Sequence, residues 1–184
     1  MIRNDVFQTL KSVISEHLVV CNIGAPSQEL HAMDDQPSNF YMLGTMGLAS
    51  SIGLGLAAAQ DKPVIAIDGD GSVLTNLGTL ATIGNNPQGN YTLLIIDNGS
   101  YGSTGDQPTY AGMNTDLAAV ARACGAECVL TVSAEDTAQA VTDAIASDQM
   151  TIIVSKCESG NVKVPVIKTN PIVIRERFME EVRS

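Results

Sequence analysis

Apolar positions along the chain fall into two alternating rhythms. Val6, Phe7, Leu10, Val13 and Ile14 recur at the three-and-four spacing of a helix with one buried stripe. The runs LVVCN (18–22), PVIAI (63–67), YTLLII (91–96), CVLTV (128–132) and TIIVSK (151–156) are short, β-rich and almost continuously apolar. Strands buried on both faces read this way. NFYML (39–43) predicts one further strand. Between the strands the spacing predicts helices: a short one capped by Ser27 and running to Met33, a Gly-, Ala- and Ser-rich one from Met46 to Gln60, and one over 73–84. Two more are predicted over 115–124, beginning at Thr115, and from a Ser133 cap to Ser147. This alternation predicts an α/β fold, a doubly wound and mostly parallel sheet with helices on both faces. VKVPVIKTNP then reads as extended, and Asn170 before Pro171 starts a terminal helix. The expected division is one domain over 1–160 and a C-terminal extension over 161–184.

Composition narrows the partners. A formal net charge of −10 on 184 residues argues against nucleic acid or an anionic membrane, both of which need a basic face. Any polyanionic ligand must be held locally, by backbone N–H groups or a metal. Charged residues are few, at 16%. Either a partner covers part of the surface, or a monomer carries many Ser, Thr and Asn outside. Cys21, Cys124, Cys128 and Cys157 form no CxxC pair, and Cys21 and Cys157 sit in strand-like runs where a thiol acts as a small hydrophobe. The first eighteen residues carry acids within a helical period, and no run reaches membrane-spanning length. A reduced, cytoplasmic setting is expected.

The candidate chemistry lies at the ends of two strands. Asp70 stands between Gly69 and Gly71 just after PVIAI, and Asp97-Asn98 follows YTLLII. Ligands of open parallel sheets bind beyond the carboxyl ends of the strands. If these two strands are neighbours, Asp70 and Asn98 share one rim. A carboxylate, an amide oxygen and a backbone carbonyl make the oxygen shell that Mg²⁺ prefers. Gly69, Gly71 and Ser72 would let backbone approach phosphates at a helix start. Each turn alone is commonplace; the pair is far more specific.

GDG followed by an Asn-ended strand resembles the diphosphate- and metal-binding motif of thiamine diphosphate enzymes. The resemblance implies Mg²⁺ on Asp70, the Asn98 side chain and the Ser100 carbonyl. It departs at Asp97, where the family usually has Asn, so an extra carboxylate needs a neutralising partner or an outward pose. YMLGTMGLASSIGLGLA resembles the segment that grips the aminopyrimidine in the decarboxylase branch. That implies the Gly44 carbonyl accepting from the 4′-amino group and Met46 as the wedge that bends the cofactor. CNIGAPSQEL resembles the first loop of the binding domain, which brings Gly24 and Ser27 near the diphosphate, and Tyr101 joins the cofactor residues. Within the family the chain resembles the branch that decarboxylates sulfopyruvate, a step toward coenzyme M, with the phosphonopyruvate branch next. The latter shares the ending seen here as Asp106-Gln107-Pro108-Thr109.

The family activates its cofactor with a Glu from a separate pyrimidine-binding domain. Glu16, Glu29, Glu127, Glu135, Glu158, Glu176, Glu180 and Glu181 read here as helix, cap or tail residues, and Thr104 falls where several relatives carry a proton-donating acid. The resemblance therefore implies half an active site, inactive alone, completed by a pyrimidine-domain (α) subunit in a hetero-oligomer. The small-residue helix and the C-terminal extension are candidate contact surfaces, and also candidates for self-association. Tyr101, Ser103, Thr104 and Gln107 offer donors for a sulfonate but no cation, so the cation is expected from the partner. Two other classes compete. The thiamine subunits of 2-oxoacid:ferredoxin oxidoreductases are longer and often carry cluster cysteines. A non-catalytic nucleotide-binding module is disfavoured by the lack of G-x-G-x-x-G after the first strand.

Overall fold

A computed structural model describes all residues, 1–184. In chain order the elements are α1 (Arg3–Ile14), β1 (Leu18–Cys21), α2 (Ala25–Met33), β2 (Asn39–Tyr41), α3 (Ala49–Ala59), β3 (Val64–Gly69), α4 (Asp70–Thr75), α5 (Gly78–Asn85) and β4 (Tyr91–Asp97). There follow a hairpin of β5 (Ser100–Tyr101) and β6 (Gln107–Pro108), then α6 (Leu117–Ala123), β7 (Cys128–Ser133), α7 (Thr137–Ala146), β8 (Thr151–Lys156) and α8 (Pro171–Arg183).

Six strands form one sheet in the order β2-β1-β3-β4-β8-β7, and every pairing is parallel. The continuous apolar character of the strands follows from burial on both faces. Tyr91, Leu93 and Ile95 of β4 point to one core with Ala49, Leu80, Ile83 and Leu117. Leu94 and Ile96 point to the other, with Phe7, Leu10, Leu30 and Val141. So α3, α5 and α6 cover one face and α1, α2 and α7 the other. From α8, Phe178 enters the first core and Ile174 the second. That helix wraps the β2 edge: Phe178 packs on Phe40 at 5.5 Å between ring centroids, and Arg177 pairs with Asp35.

Several element ends differ from the sequence expectation. The helix expected from Met46 starts at Ala49, because Thr45 and Gly47 take left-handed φ of 64° and 81°. The helix expected over 73–84 is two helices. Asn76 leaves helical geometry and donates its amide to the Gly47 carbonyl at 2.9 Å. Ser27 does not cap α2; that helix begins at Ala25, and the Ser27 hydroxyl turns back to the Cys21 and Asn22 carbonyls. The helix expected to begin at Thr115 begins at Leu117, capped by Asp116, whose carboxylate accepts from the Ala119 N–H. Ser133 closes β7, and α7 starts later at Thr137. The small-residue face of α3 is partly used at home, since a Cβ on Gly53 would lie 2.8 Å from Ala66 Cβ and 3.0 Å from Tyr91 Cε2.

Candidate active site

The strand order reverses between β1 and β3: β2 lies outside β1 on one side, and β3 and β4 continue on the other. A crevice opens beyond the carboxyl ends at such a point. Here it is a cavity of about 200 Å³ walled by the turn after β1 (Asn22, Ile23, Gly24, Pro26), the turn after β3 (Gly69 to Ser72) and the segment after β4 (Asn98 and Ser100 to Thr104). Nine of the eleven residues expected from the sequence line it; Ser27 and Gly44 do not. Ser27 is buried behind the wall, and Gly44 is exposed outside it.

Register brings the two polar strand ends together. Gly69 pairs with Ile96, so Asp70 and Asp97-Asn98 leave neighbouring strands side by side. Asp70 is 2% exposed and accepts a hydrogen bond from the Thr109 hydroxyl. Burial pushes its carboxyl up to about 6; the Thr109 bond acts against this, and the charge of Asp97 adds to it. No Lys or Arg pairs with Asp70. Asp97 has the neutralising partner its position demands: Lys156, opposite it on β8, forms an ion pair with its carboxylate. Asn98 Oδ1 accepts from the Ser100 N–H at 3.1 Å, which tightens the turn into the hairpin. No three His, Cys, Asp or Glu side chains cluster as metal ligands. The oxygen set at this rim is one carboxylate, one amide and backbone carbonyls.

Gly71 is explained by its neighbour, since a Cβ there would lie 2.3 Å from Tyr101 Cε1. The Tyr101 ring thus seals the start of α4. Met46 reaches the cavity from a strained turn. Thr45 and Gly47 on either side of it are left-handed, and a Gly47 Cβ would lie 2.6 Å from Thr75 Oγ1 and 2.8 Å from Asn76 Cβ. Both backbone groups of Gly47 are held: its N–H donates to Ser72 Oγ at 2.7 Å, and its carbonyl accepts from Asn76. Ser72 also donates to Asn22 Oδ1 at 3.2 Å, linking the turns that follow β1, β2 and β3.

Behind them Asp68, 1% exposed, accepts from the Gly69 N–H but leaves Oδ2 unpaired. Burial pushes this carboxyl up to about 6 as well. Burial pushes the Cys21 thiol to about 12 and the Cys157 thiol to about 11, so both stay protonated.

Sequence reasoning missed Arg3, Thr109 and Lys156. Thr109 lay within a recognised motif with no role attached. Arg3 is a cation of this chain that lines the cavity. Glu29, expected as an ordinary helix residue, is buried and ion-paired with Arg3.

Residues 23–155 match the family described as thiamine pyrophosphate enzyme, C-terminal TPP binding domain. Sulfopyruvate decarboxylase subunit beta of Methanocaldococcus jannaschii is 45% identical over 98% of this chain and 97% of its own length. The chain belongs to this family of thiamine pyrophosphate enzymes. It is a subunit of a thiamine-dependent decarboxylase. The sulfopyruvate decarboxylase of Methanosarcina acetivorans is 41% identical over 98% of this chain, which spans only 47% of that longer relative. A phosphonopyruvate decarboxylase of Streptomyces viridochromogenes is 41% identical over 87% of the chain and 41% of its own length. Among solved structures, the thiamine diphosphate-dependent 4-hydroxybenzoylformate decarboxylase of Rhodococcus jostii RHA1 superposes with a TM-score of 0.71 at 22% identity. That match covers 88% of this chain and 33% of the other, and it speaks for the fold.

Proposed function

We propose that this chain is the diphosphate- and Mg²⁺-binding subunit of an enzyme converting sulfopyruvate to sulfoacetaldehyde and CO₂, completed by a pyrimidine-domain subunit. One observation carries the reading: Asp70 and Asn98 meet at the switch-point rim, in a chain alike over nearly its whole length to a sulfopyruvate decarboxylase β subunit.

The residues present fit a metal-bridged diphosphate. Asp70 is desolvated, close to a second carboxylate and without a cation. A divalent ion there relieves both strains, and carboxylate, amide and carbonyl oxygens are its natural ligands. Asp70, Asn98 and the Ser100 carbonyl would hold Mg²⁺; Gly24, Gly69, Gly71 and Ser72 would border the phosphates. When bound, thiamine diphosphate supplies the thiazolium electron sink for the carbanion that decarboxylation leaves. Met46, fixed at Gly47 by Ser72 and Asn76, would prop the cofactor in its bent form. Tyr101 and Ile96 would keep water from the reacting end.

The site is open on one side. Gly44 and Met46 are exposed, as are Leu43, Tyr110 and Met113 on the loops that bring Met46 to the cavity and Thr109 to Asp70. Glu29 is bound by Arg3 and the Val162 N–H and does not line the cavity, which supports an activating Glu from elsewhere. The longer Methanosarcina acetivorans relative supports a second half of comparable size.

The test is reconstitution. Neither this chain nor a pyrimidine-domain subunit alone should turn over sulfopyruvate, and the mixture with Mg²⁺ and thiamine diphosphate should. Turnover by this chain alone would refute the half-site reading. The Streptomyces viridochromogenes relative favours phosphonopyruvate as the second reading; a higher kcat/KM on that substrate would select it.

A further inference from the structure

We infer that Asn161, on the strap between β8 and α8, is a positioning residue of the active site: it pins the tip of the β5–β6 hairpin and so places Ser103 and Thr104 on the cavity. The inference rests on the thiamine-site reading and adds to it a residue outside the cavity wall. The bonds of Ser72 and Asn76 brace the turns after β1, β2 and β3 but do not reach the hairpin. At its base the hairpin is held by Asn98 Oδ1 and by the Thr109 N–H, which donates to the Gly99 carbonyl at 2.9 Å. At its tip, residues 102–105 have one hydrogen bond from outside the hairpin: Asn161 Nδ2 donates to the Gly102 carbonyl at 2.8 Å. Gly102 leaves room for that amide, since a Cβ there would lie 2.9 Å from Asn161 Nδ2.

The strap is anchored where Asn161 stands. Before it, the Glu158 N–H donates to the Met1 carbonyl at 2.9 Å, and Gly160 turns at a φ of 146° against Ile2. Beside it lies the buried Arg3–Glu29 ion pair. Arg3 Nη2 donates to Asn161 Oδ1 at 2.6 Å, and the Val162 N–H donates to Glu29 Oε1 at 3.1 Å. Arg3 is 5% exposed and Glu29 1%, so the pair is a fixed point joining α1 to α2. The Asn161 amide meets a donor on one side and an acceptor on the other, which sets its orientation. A carboxylate would serve Arg3 but not Gly102, and an apolar side chain would serve neither. Asn161 is itself exposed and fills no core, so these bonds are what it contributes. Ser100, the proposed metal ligand, lies at the separately held base of the hairpin. Ser103 and Thr104 lie at the tip, as donors for the substrate. Asn161 therefore governs substrate binding more than metal or diphosphate binding.

The test compares wild type with Asn161→Ala and Asn161→Asp in the complex of this chain with its pyrimidine-domain subunit. The Asp variant keeps an oxygen for Arg3 and loses only the N–H groups that reach Gly102. Losing one such bond should raise the KM of sulfopyruvate about three- to tenfold in both variants. The kcat, the Kd of thiamine diphosphate and the melting temperature should stay near wild type. An unchanged KM in the folded variants would overturn the inference, and so would an equal loss of cofactor affinity, which marks a general structural role. Wild type failing to turn over sulfopyruvate would instead refute the parent reading, and the positioning is then read by hydrogen exchange in this chain alone. The Thr104 and Asp106 amides, which donate to the Tyr101 carbonyl, should exchange about three- to tenfold faster in both variants. Gly102→Ala reaches the same contact from the hairpin side, whether or not the Asn161 variants fold. It should speed exchange in the wild-type background and add nothing to Asn161→Ala. Unchanged exchange, or effects that add, would overturn the inference.

Discussion

Asp70 holds a carboxylate where water cannot stabilise it and where Asp97 repels it. Its carboxyl, raised from 3.8 to about 6, binds a proton in competition with any metal. Metal-dependent cofactor affinity should therefore be flat above about pH 6 and fall roughly tenfold per unit below it. A titration calorimetry series across pH would show this. The stability sign is the reverse in the metal-free chain. With a folded value above the unfolded one, the native state holds the extra proton between about 3.8 and 6, so this group's contribution falls as pH rises through that window. Asp70→Asn should then leave the metal-free melting temperature at neutral pH equal or higher, yet abolish the rise produced by Mg²⁺ with thiamine diphosphate. At this scale, Asp70 and Asn98 were legible because each ends an apolar run. Arg3 was not: on a helical stripe it reads as one more surface charge, and only folding brings it to Glu29, 26 residues on. Lys156 likewise meets Asp97 only through the β4–β8 pairing.

Elements were legible wherever a continuous apolar run met a turn, as in β1, β3, β4 and β8. Boundaries that depend on a distant partner were not. The break between α4 and α5 exists because Asn76 serves the Gly47 carbonyl, and the late start of α3 follows from the turn that presents Met46. The β5–β6 hairpin is too short to leave a periodic signal. Gly47→Ala forces a side chain into left-handed backbone and against Thr75 and Asn76. It should destabilise by about 1–2 kcal/mol and raise the cofactor Kd, measured by urea unfolding and calorimetry. Gly53→Val tests the fit of α3 to the sheet. Glycine is a poor helix former, so a substitution would normally gain stability; here the new atoms meet Ala66 and Tyr91, the latter tied by its hydroxyl to the Ser50 carbonyl. Overpacking should win, with a loss of about 1–3 kcal/mol in urea unfolding.

For the whole molecule, the doubly wound order places the cavity where β1 and β3 diverge, and α8 closes the β2 edge. Ending the chain at residue 160 would remove Ile174 and Phe178 from the two cores and uncover Phe40 and Tyr41. A sheet edge so exposed pairs with other chains, and the truncated protein should melt lower and aggregate in light scattering. On the outer face of α8, Ile172 and Val173 are exposed. Completeness of the site is the property of largest scale, and the central claim about it is that metal and diphosphate are held by this chain through Asp70. The direct measurement is titration of thiamine diphosphate into the chain joined to its pyrimidine-domain subunit, with and without Mg²⁺, for wild type and Asp70→Ala. Binding that requires the metal and disappears in the variant is the predicted result. Metal-independent binding, or equal affinity in Asp70→Ala, would contradict the account.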